Sequence, residues 1–349
     1  MRPVARPESA GEAAAPIRLN ANQPPDRFYR GGERIARFRG AALRGGDRVP
    51  EDWIASTTSV RGQEPAGLTI LPGGVTLSQA VADRPLWWLG ESHVRAFGRD
   101  TRLLVKLLDA GQRLPVHAHP PTDFARSHLG AAHGKAEAWY ILSPGVVHLG
   151  LTRALGADEL REIVRTQQSG RLLDTMHRLD VSVGDYVFVP PGMLHSIGEG
   201  VFLAEVQEPE DLSILVEWEG FELDGANEGH LGIGFESALR AVDRSSTSAR
   251  SIASLVSTSA GGGEALPSSA GEYFRLQSVV VDGPVTVAAG FAVVIVLTGA
   301  MTMSGQWGVS RAKAGDTYVV PAAAGALRFG GSGSVLVARP PAPQIGRQV

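Results

Sequence analysis

The stretch GDYVFVPPGMLH, residues 184–195, reads as a turn, a strand of aromatic and β-branched residues, and a second turn that delivers a histidine. It answers an earlier stretch, GQRLPVHAHP, residues 111–120, which carries His117 and His119. Alternation along a strand sends those two imidazoles to one face. With Glu137 added, the four residues His117, His119, Glu137 and His195 read as a single metal site. Imidazole and carboxylate ligands together suit zinc or a neighbouring first-row metal. Four protein ligands with room for a further oxygen describe a catalytic site rather than a structural one.

The chain has 349 residues, enough for two domains, and an ordinary apolar fraction of 43% that allows sizeable cores. A formal net charge of −3 and the lack of basic runs argue against a nucleic-acid partner. There are no cysteines, so disulfides, thiolate metal sites and cysteine nucleophiles are excluded, and a cytoplasmic location is expected. The opening MRPVARPESAGEAAAP has no apolar h-region, so no secretory signal is expected. No apolar run reaches the ~18 residues of a membrane span, so no membrane partner is expected either. With 43 glycines, 22 prolines and few long helical patterns, many short strands joined by turns are predicted.

Residues 1–25, rich in Ala, Pro and Glu, read as a loose tail. Residues 26–244 read as the metal-binding domain. Within it, 101–109 is a strand leading to the first histidine motif, and 137–142 is a second strand with 147–151 expected as its hairpin partner. Residues 157–177 place Leu160, Ile163, Val164, Leu172, Leu173 and Met176 at helical spacing, a helical insertion divided at Ser169 and Gly170. Residues 245–263 read as an interdomain linker. Residues 264–349 read as a second β-barrel. There GDTYVVP, residues 315–321, repeats GDYVFVP, residues 184–190. Ala326 stands where the first copy has His195, and no histidine follows His230, so the second barrel cannot hold this metal.

The pairs G-x5-H-x-H and G-x5-P-x-G-x2-H resemble the two cupin motifs, which meet inside small double-stranded β-barrels. In a typical cupin the glutamate follows H-x-H closely, whereas Glu137 lies on the next strand. The series LPVHAHP, GKAEAWYIL, VPPGMLHSI and AEVQ resembles the type I mannose-6-phosphate isomerases over roughly residues 28–340. The resemblance implies a mostly β protein of tandem cupin-like jelly-roll barrels with a small helical insertion.

It also implies zinc held by Q-x-H, by the Glu of K-x-E and by a late His. Carried over, these fall on His117, His119, Glu137 and His195. His117 replaces the usual glutamine, which makes Fe, Mn, Co or Ni possible beside Zn2+. Lys135 matches the K-x-E lysine, facing the substrate region. Glu205 in FLAEVQ matches a glutamate near the reacting carbons, a candidate acid/base. Leu215 occupies the place of a catalytic arginine, and Arg126 and Lys135 are the nearest cations by sequence. His128 and His133 lie between the motifs, and either could reach the pocket. Trp139 is expected on the strand face opposite Glu137, in the core, and Trp218 and Trp307 are expected to pack rather than to stack on sugar.

What the resemblance implies is metal-dependent aldose–ketose isomerisation, mannose-6-phosphate to fructose-6-phosphate, through a cis-enediol. The partner is then a small sugar or sugar phosphate, and the oligomeric state stays open. Two other classes also stay open. One is a different metal-dependent cupin enzyme, dioxygenase-like. The other is a non-catalytic sugar-binding relative, for which Leu215 speaks.

Overall fold

A computed structural model describes residues 14–43, 45–258 and 262–343. The architecture is mostly β, built of three antiparallel sheets. One sheet has six strands in the order Val256–Thr258, Asp185–Val189, Glu137–Ser143, Phe202–Gln207, Leu104–Asp109 and Glu51–Ile54. A second has five, in the order Ile214–Leu215, His117–Ala118, His195–Ile197, Gly145–Leu151 and Met176–Val181. The third, of eight strands, holds the C-terminal part and Ile17–Leu19.

Alternation explains how the sheets stack. In the six-stranded sheet Leu108, Trp139, Val189 and Leu203 point one way. They meet Val147, Leu149, Val181 and Ile197 of the five-stranded sheet in one buried cluster. Their neighbours Val105, Leu107, Ala138, Ala204 and Val206 point the other way and join Val293, Ile295, Val319 and Leu336 of the third sheet. Coverage on both faces is why Leu104–Asp109 and Phe202–Gln207 are buried at every position. Each such aliphatic side chain contributes roughly 1.5–3 kcal/mol by leaving water. The six- and five-stranded sheets therefore form a sandwich around an apolar cluster, part of which, Leu108, Leu114 and Ile197, also borders a polar cavity.

Several expected elements are placed differently. Residues 147–151 do not pair with Glu137–Ser143. The chain changes sheets at Pro144: Glu137–Ser143 pairs with Asp185–Val189 and Phe202–Gln207, while Gly145–Leu151 pairs with Met176–Val181 and His195–Ile197. Proline has no N–H for the ladder, and a Cβ on Gly145 would lie 2.6 Å from the Val201 side chain, so the corner tolerates only glycine. The insertion forms helices Ala157–Arg165 and Ser169–Leu173, burying Leu160, Ile163, Val164 and Leu172. Its break falls at 166–168, before Ser169, and Met176 and His177 already belong to a strand.

The tail reading of 1–25 lies partly outside the described residues, but Ile17–Leu19 is tied to the second barrel by pairing with Thr317–Val320. Residues 245–263 are not featureless either. Ser248 caps helix Ala249–Ala253 by accepting from the Ser251 N–H, and Ile252 is buried. Val256–Thr258 then pairs with Asp185–Val189. A serine-rich composition hid a cap and an edge strand.

The GD repeat is structural. Gly184 and Gly315 have φ of 92° and 87°, left-handed values that favour glycine. The Asp185 and Asp316 carboxylates accept the backbone N–H of Ser182 and Lys313 at 2.7 and 3.1 Å, closing the same turn twice. Among the described residues no helix is long and apolar enough to cross a membrane.

Candidate metal centre and its cavity

His117 lies directly opposite His195 on one side and Leu215 on the other in the five-stranded sheet. His119 shares its face, as alternation requires. The three imidazoles converge, with ring centroids 4.1–5.0 Å apart and ligand atoms all within 4.8 Å of one another. Each Nδ1 faces a backbone carbonyl: Pro115 at 2.8 Å, Leu212 at 2.7 Å and Met193 at 2.8 Å, for His117, His119 and His195 respectively. A carbonyl only accepts, so each Nδ1 carries a proton, and in the neutral ring each Nε2 is the atom left to bind a metal. Three lone pairs thus point into one buried space.

Glu137 closes this group. Its Oε2 is 2.9 Å from His119 Nε2 and its Oε1 is 3.2 Å from His195 Nε2. His195 Nε2 is buried without a hydrogen-bond partner. An unprotonated nitrogen held beside a carboxylate gains nothing from that neighbour and gains much from a cation between them. Lys135 Nζ lies 2.6 Å from Glu137 Oε2 and 2.7 Å from His119 Nε2, and His119 Nε2 has one lone pair, so it serves either this ammonium or a metal.

Trp139 corrects the sequence expectation. Being two residues from Glu137 it shares that residue's face, and its Nε1–H donates to Glu137 Oε1 at 3.0 Å. Burial, reinforced by the neighbouring His195 and His119, pushes His117 well below the usual imidazole range. Burial and the Lys135 ammonium bring His119 down to about 3. Burial alone would raise Glu137, but Lys135 and His119 outweigh it and hold the carboxyl well below the usual range. His117 and His119 are thereby held neutral, and with His195 and the Glu137 carboxylate they form a donor set that could hold a metal ion.

A second polar group stands beside the first, and only Glu205 of it was legible in the sequence. Lys106 is paired across the strands with Glu205 and with Trp53. Its Nζ lies 3.4 Å from Glu205 Oε1, 3.4 Å from Glu51 Oε2 and 4.8 Å from the centre of the Trp53 ring. Glu51 also accepts from Tyr29 Oη and Trp53 Nε1, both at 2.7 Å, and from Arg27 Nε at 3.2 Å. Burial would raise Glu51; Arg27 and Lys106 reverse this and hold it far below the usual carboxylate range.

Glu205 is the contrast. Burial raises its carboxyl against the pull of Lys106, and Oε1 is buried with an ion contact but no hydrogen bond. A single lysine inside the apolar run LLVKLLD was the available signal for Lys106.

These groups face a cavity of about 560 Å³ whose lining includes His117, Lys135, Glu137, Lys106, Glu205 and Leu215. Leu215, opposite His117, is thus an apolar patch on the wall. Arg126 is not there; its Nε donates to the Ala132 carbonyl on the surface. His128 is exposed and stacks on Phe124. His133 is buried in a neighbouring cleft, 2.6 Å from Asp100 and 3.0 Å from Arg102. Trp218 stacks on Phe235, and Trp307 packs against the second barrel's core, as expected.

No family model matches the chain. A mannose-6-phosphate isomerase of Streptococcus mutans is 30% identical over 180 residues, 49% of this chain and 56% of the relative. A mannose-6-phosphate isomerase of Bacillus subtilis is 32% identical over 142 residues, 40% of this chain and 42% of the relative. The chain thus spans about half the length of these curated relatives. The fold extends further: the structure of mannose 6-phosphate isomerase from Bacillus subtilis superposes with a TM-score of 0.70 at 22% identity, covering 93% of this chain and 100% of that one. A variant of phosphomannose isomerase from Salmonella typhimurium gives 0.71 at 14% identity, covering 94% and 100%. The chain is thus similar in sequence to mannose-6-phosphate isomerases over part of its length, and its fold is similar over nearly all of it.

Proposed function

We propose that this chain is a metal-dependent aldose–ketose isomerase that interconverts mannose-6-phosphate and fructose-6-phosphate. The observation that carries the reading is the convergence of three Nε2 lone pairs and the Glu137 carboxylate beside a buried, hydrogen-bond-poor Glu205 in one cavity. His117, His119, Glu137 and His195 would hold the metal, with zinc the ion that best suits imidazole and carboxylate donors. A bound divalent ion supplies Lewis acidity that polarises the sugar oxygens at C1 and C2. We assign Glu205 the proton transfer between C1 and C2 through a cis-enediol. Its raised pKa suits a group that must take up and return a proton near neutral pH. Lys106 steadies the carboxylate form of Glu205, and Lys135 supplies positive charge where the enediol oxygens become electron-rich.

The test is a substrate panel run beside elemental analysis. Zinc-loaded protein should interconvert mannose-6-phosphate and fructose-6-phosphate, and His195→Ala should lose both turnover and stoichiometric metal. Absence of turnover on phosphorylated and free aldoses alike, with metal bound, would rule the isomerase out. Oxygen uptake under the same conditions would indicate a dioxygenase instead.

A further inference from the structure

The cavity carries more negative than positive charge: its lining carboxylates outnumber its lysines and arginines by seven to four. Three of the four cations are committed. Lys135 meets Glu137, Lys106 meets Glu51 and Glu205, and Arg27 meets Glu51 and Asp211. The fourth is Arg61. It is exposed, and among the described residues its guanidinium meets no carboxylate; Nη2 donates to the Leu231 carbonyl at 3.3 Å. Its backbone is nonetheless fixed. The Arg61 N–H donates to Asp211 Oδ2 at 3.1 Å, Val60 N–H donates to the Ala66 carbonyl at 2.7 Å, and Val60 is buried against Trp53 and Leu104.

Among the described residues, Arg61 is thus the one cation of the cavity lining without an ion pair, exposed on an anchored loop. Buried His117, Glu137 and Lys135 lie at the inner end of the cavity. Arg61 also stands on the wall of Leu215. Leu231, whose carbonyl it touches, lies two residues after Gly229, whose carbonyl accepts from the Leu215 N–H. Leu215 cannot meet an anion, and a guanidinium reaching across from residue 61 can.

We infer that Arg61 is the specificity-determining residue for the phosphate monoester of the substrate, binding it at the cavity mouth while the reacting carbons lie at the inner end. The inference rests on the isomerase reading but concerns only the end of the sugar remote from the metal. A guanidinium–phosphate contact is charge-assisted and can be bidentate. Lys106 and Arg27 each meet two carboxylates, and Lys135 is buried beside the metal-site glutamate, so Arg61 is the exposed cation of the lining left to a phosphate.

The experiment compares wild type, Arg61→Gln and Arg61→Lys in two ways. One is steady-state kinetics with mannose-6-phosphate and with mannose on zinc-loaded protein. The other is calorimetric binding of mannose-6-phosphate and of mannose to metal-free protein. Arg61→Gln should lower the mannose-6-phosphate to mannose ratio of kcat/KM, and the matching binding ratio, roughly ten- to a hundredfold. Arg61→Lys should recover part of it, because an ammonium keeps the charge and loses the fork. A loss of equal size for both sugars, or no loss for either, overturns the inference. If wild type turns over neither sugar, the isomerase reading fails while the binding ratio still decides the role of Arg61.

Discussion

Lys106→Met removes the one cation that two buried carboxylates share. Each contact spans 3.4 Å, worth roughly 5 kcal/mol at an effective dielectric near 20 before desolvation is subtracted. The two carboxylates fare differently. Glu51 keeps Arg27, Tyr29 and Trp53 as donors, so it stays ionised. Glu205 keeps nothing of comparable strength, because its Oε1 already lacks a hydrogen bond. Leaving one charge of a buried pair alone costs about 3–5 kcal/mol, and Glu205 can limit that cost by taking up a proton.

The sign follows from linkage. Glu205 has a raised folded-state pKa in wild type, and loss of Lys106 raises it further. The folded variant then holds a proton that the unfolded chain has released, so its stability falls as pH rises, by about 1.4 kcal/mol per unit. Urea denaturation should show Lys106→Met destabilised by about 3 kcal/mol near pH 8 and by clearly less near pH 5.5, with Glu205→Gln in the same chain restoring much of the loss at high pH. An equal deficit at both pH values, or no recovery in the double variant, would refute the shared-cation account.

Other expectations follow from the same geometry. Glu205→Gln should keep the metal, measured by elemental analysis, and lose roughly 10²–10⁴-fold in kcat, the usual loss for a proton-transfer group. Metal-free protein should lose stability on acidification from pH 7 to pH 5. His117 and His119 are depressed in the folded chain, so the unfolded chain binds more protons there, costing up to about 1.4 kcal/mol per unit for each histidine below its ordinary value near 6.5. A flat denaturation midpoint across that range would count against buried neutral imidazoles. Gly315→Ala should destabilise more than Gly184→Ala. Both glycines have φ near 90°, costing about 1–3 kcal/mol of strain. A Cβ at 315 would also meet the Phe38 carbonyl oxygen at 2.1 Å, whereas at 184 the nearest atom, Tyr140 Oη, lies at 3.9 Å. Thermal melts of the two variants separate the clash from the strain.

What local rules govern could be read directly from the order of residues. Period-two alternation put His117 and His119 on one face, and the GD turns marked both barrels, because the turn's φ admits glycine and its aspartate closes on its own backbone. Helical spacing found the insertion to within a few residues. What lay beyond local rules was pairing. Alternation tells which residues share a face but not which strand comes next. Residues 147–151 were therefore assigned to the wrong partner, and the edge strand in the serine-rich stretch went unseen. The same limit governed the site. His195 meets His117 only through sheet register, Lys106 meets Glu205 only across neighbouring strands, and Arg61 is brought to the cavity by a loop held at Asp211 and at buried Val60. Residue types and spacing selected a metal-binding chemistry. Tertiary packing decided which charges are neutralised and which remain free, because burial and distance, neither of them written in one dimension, set the energy of every charge.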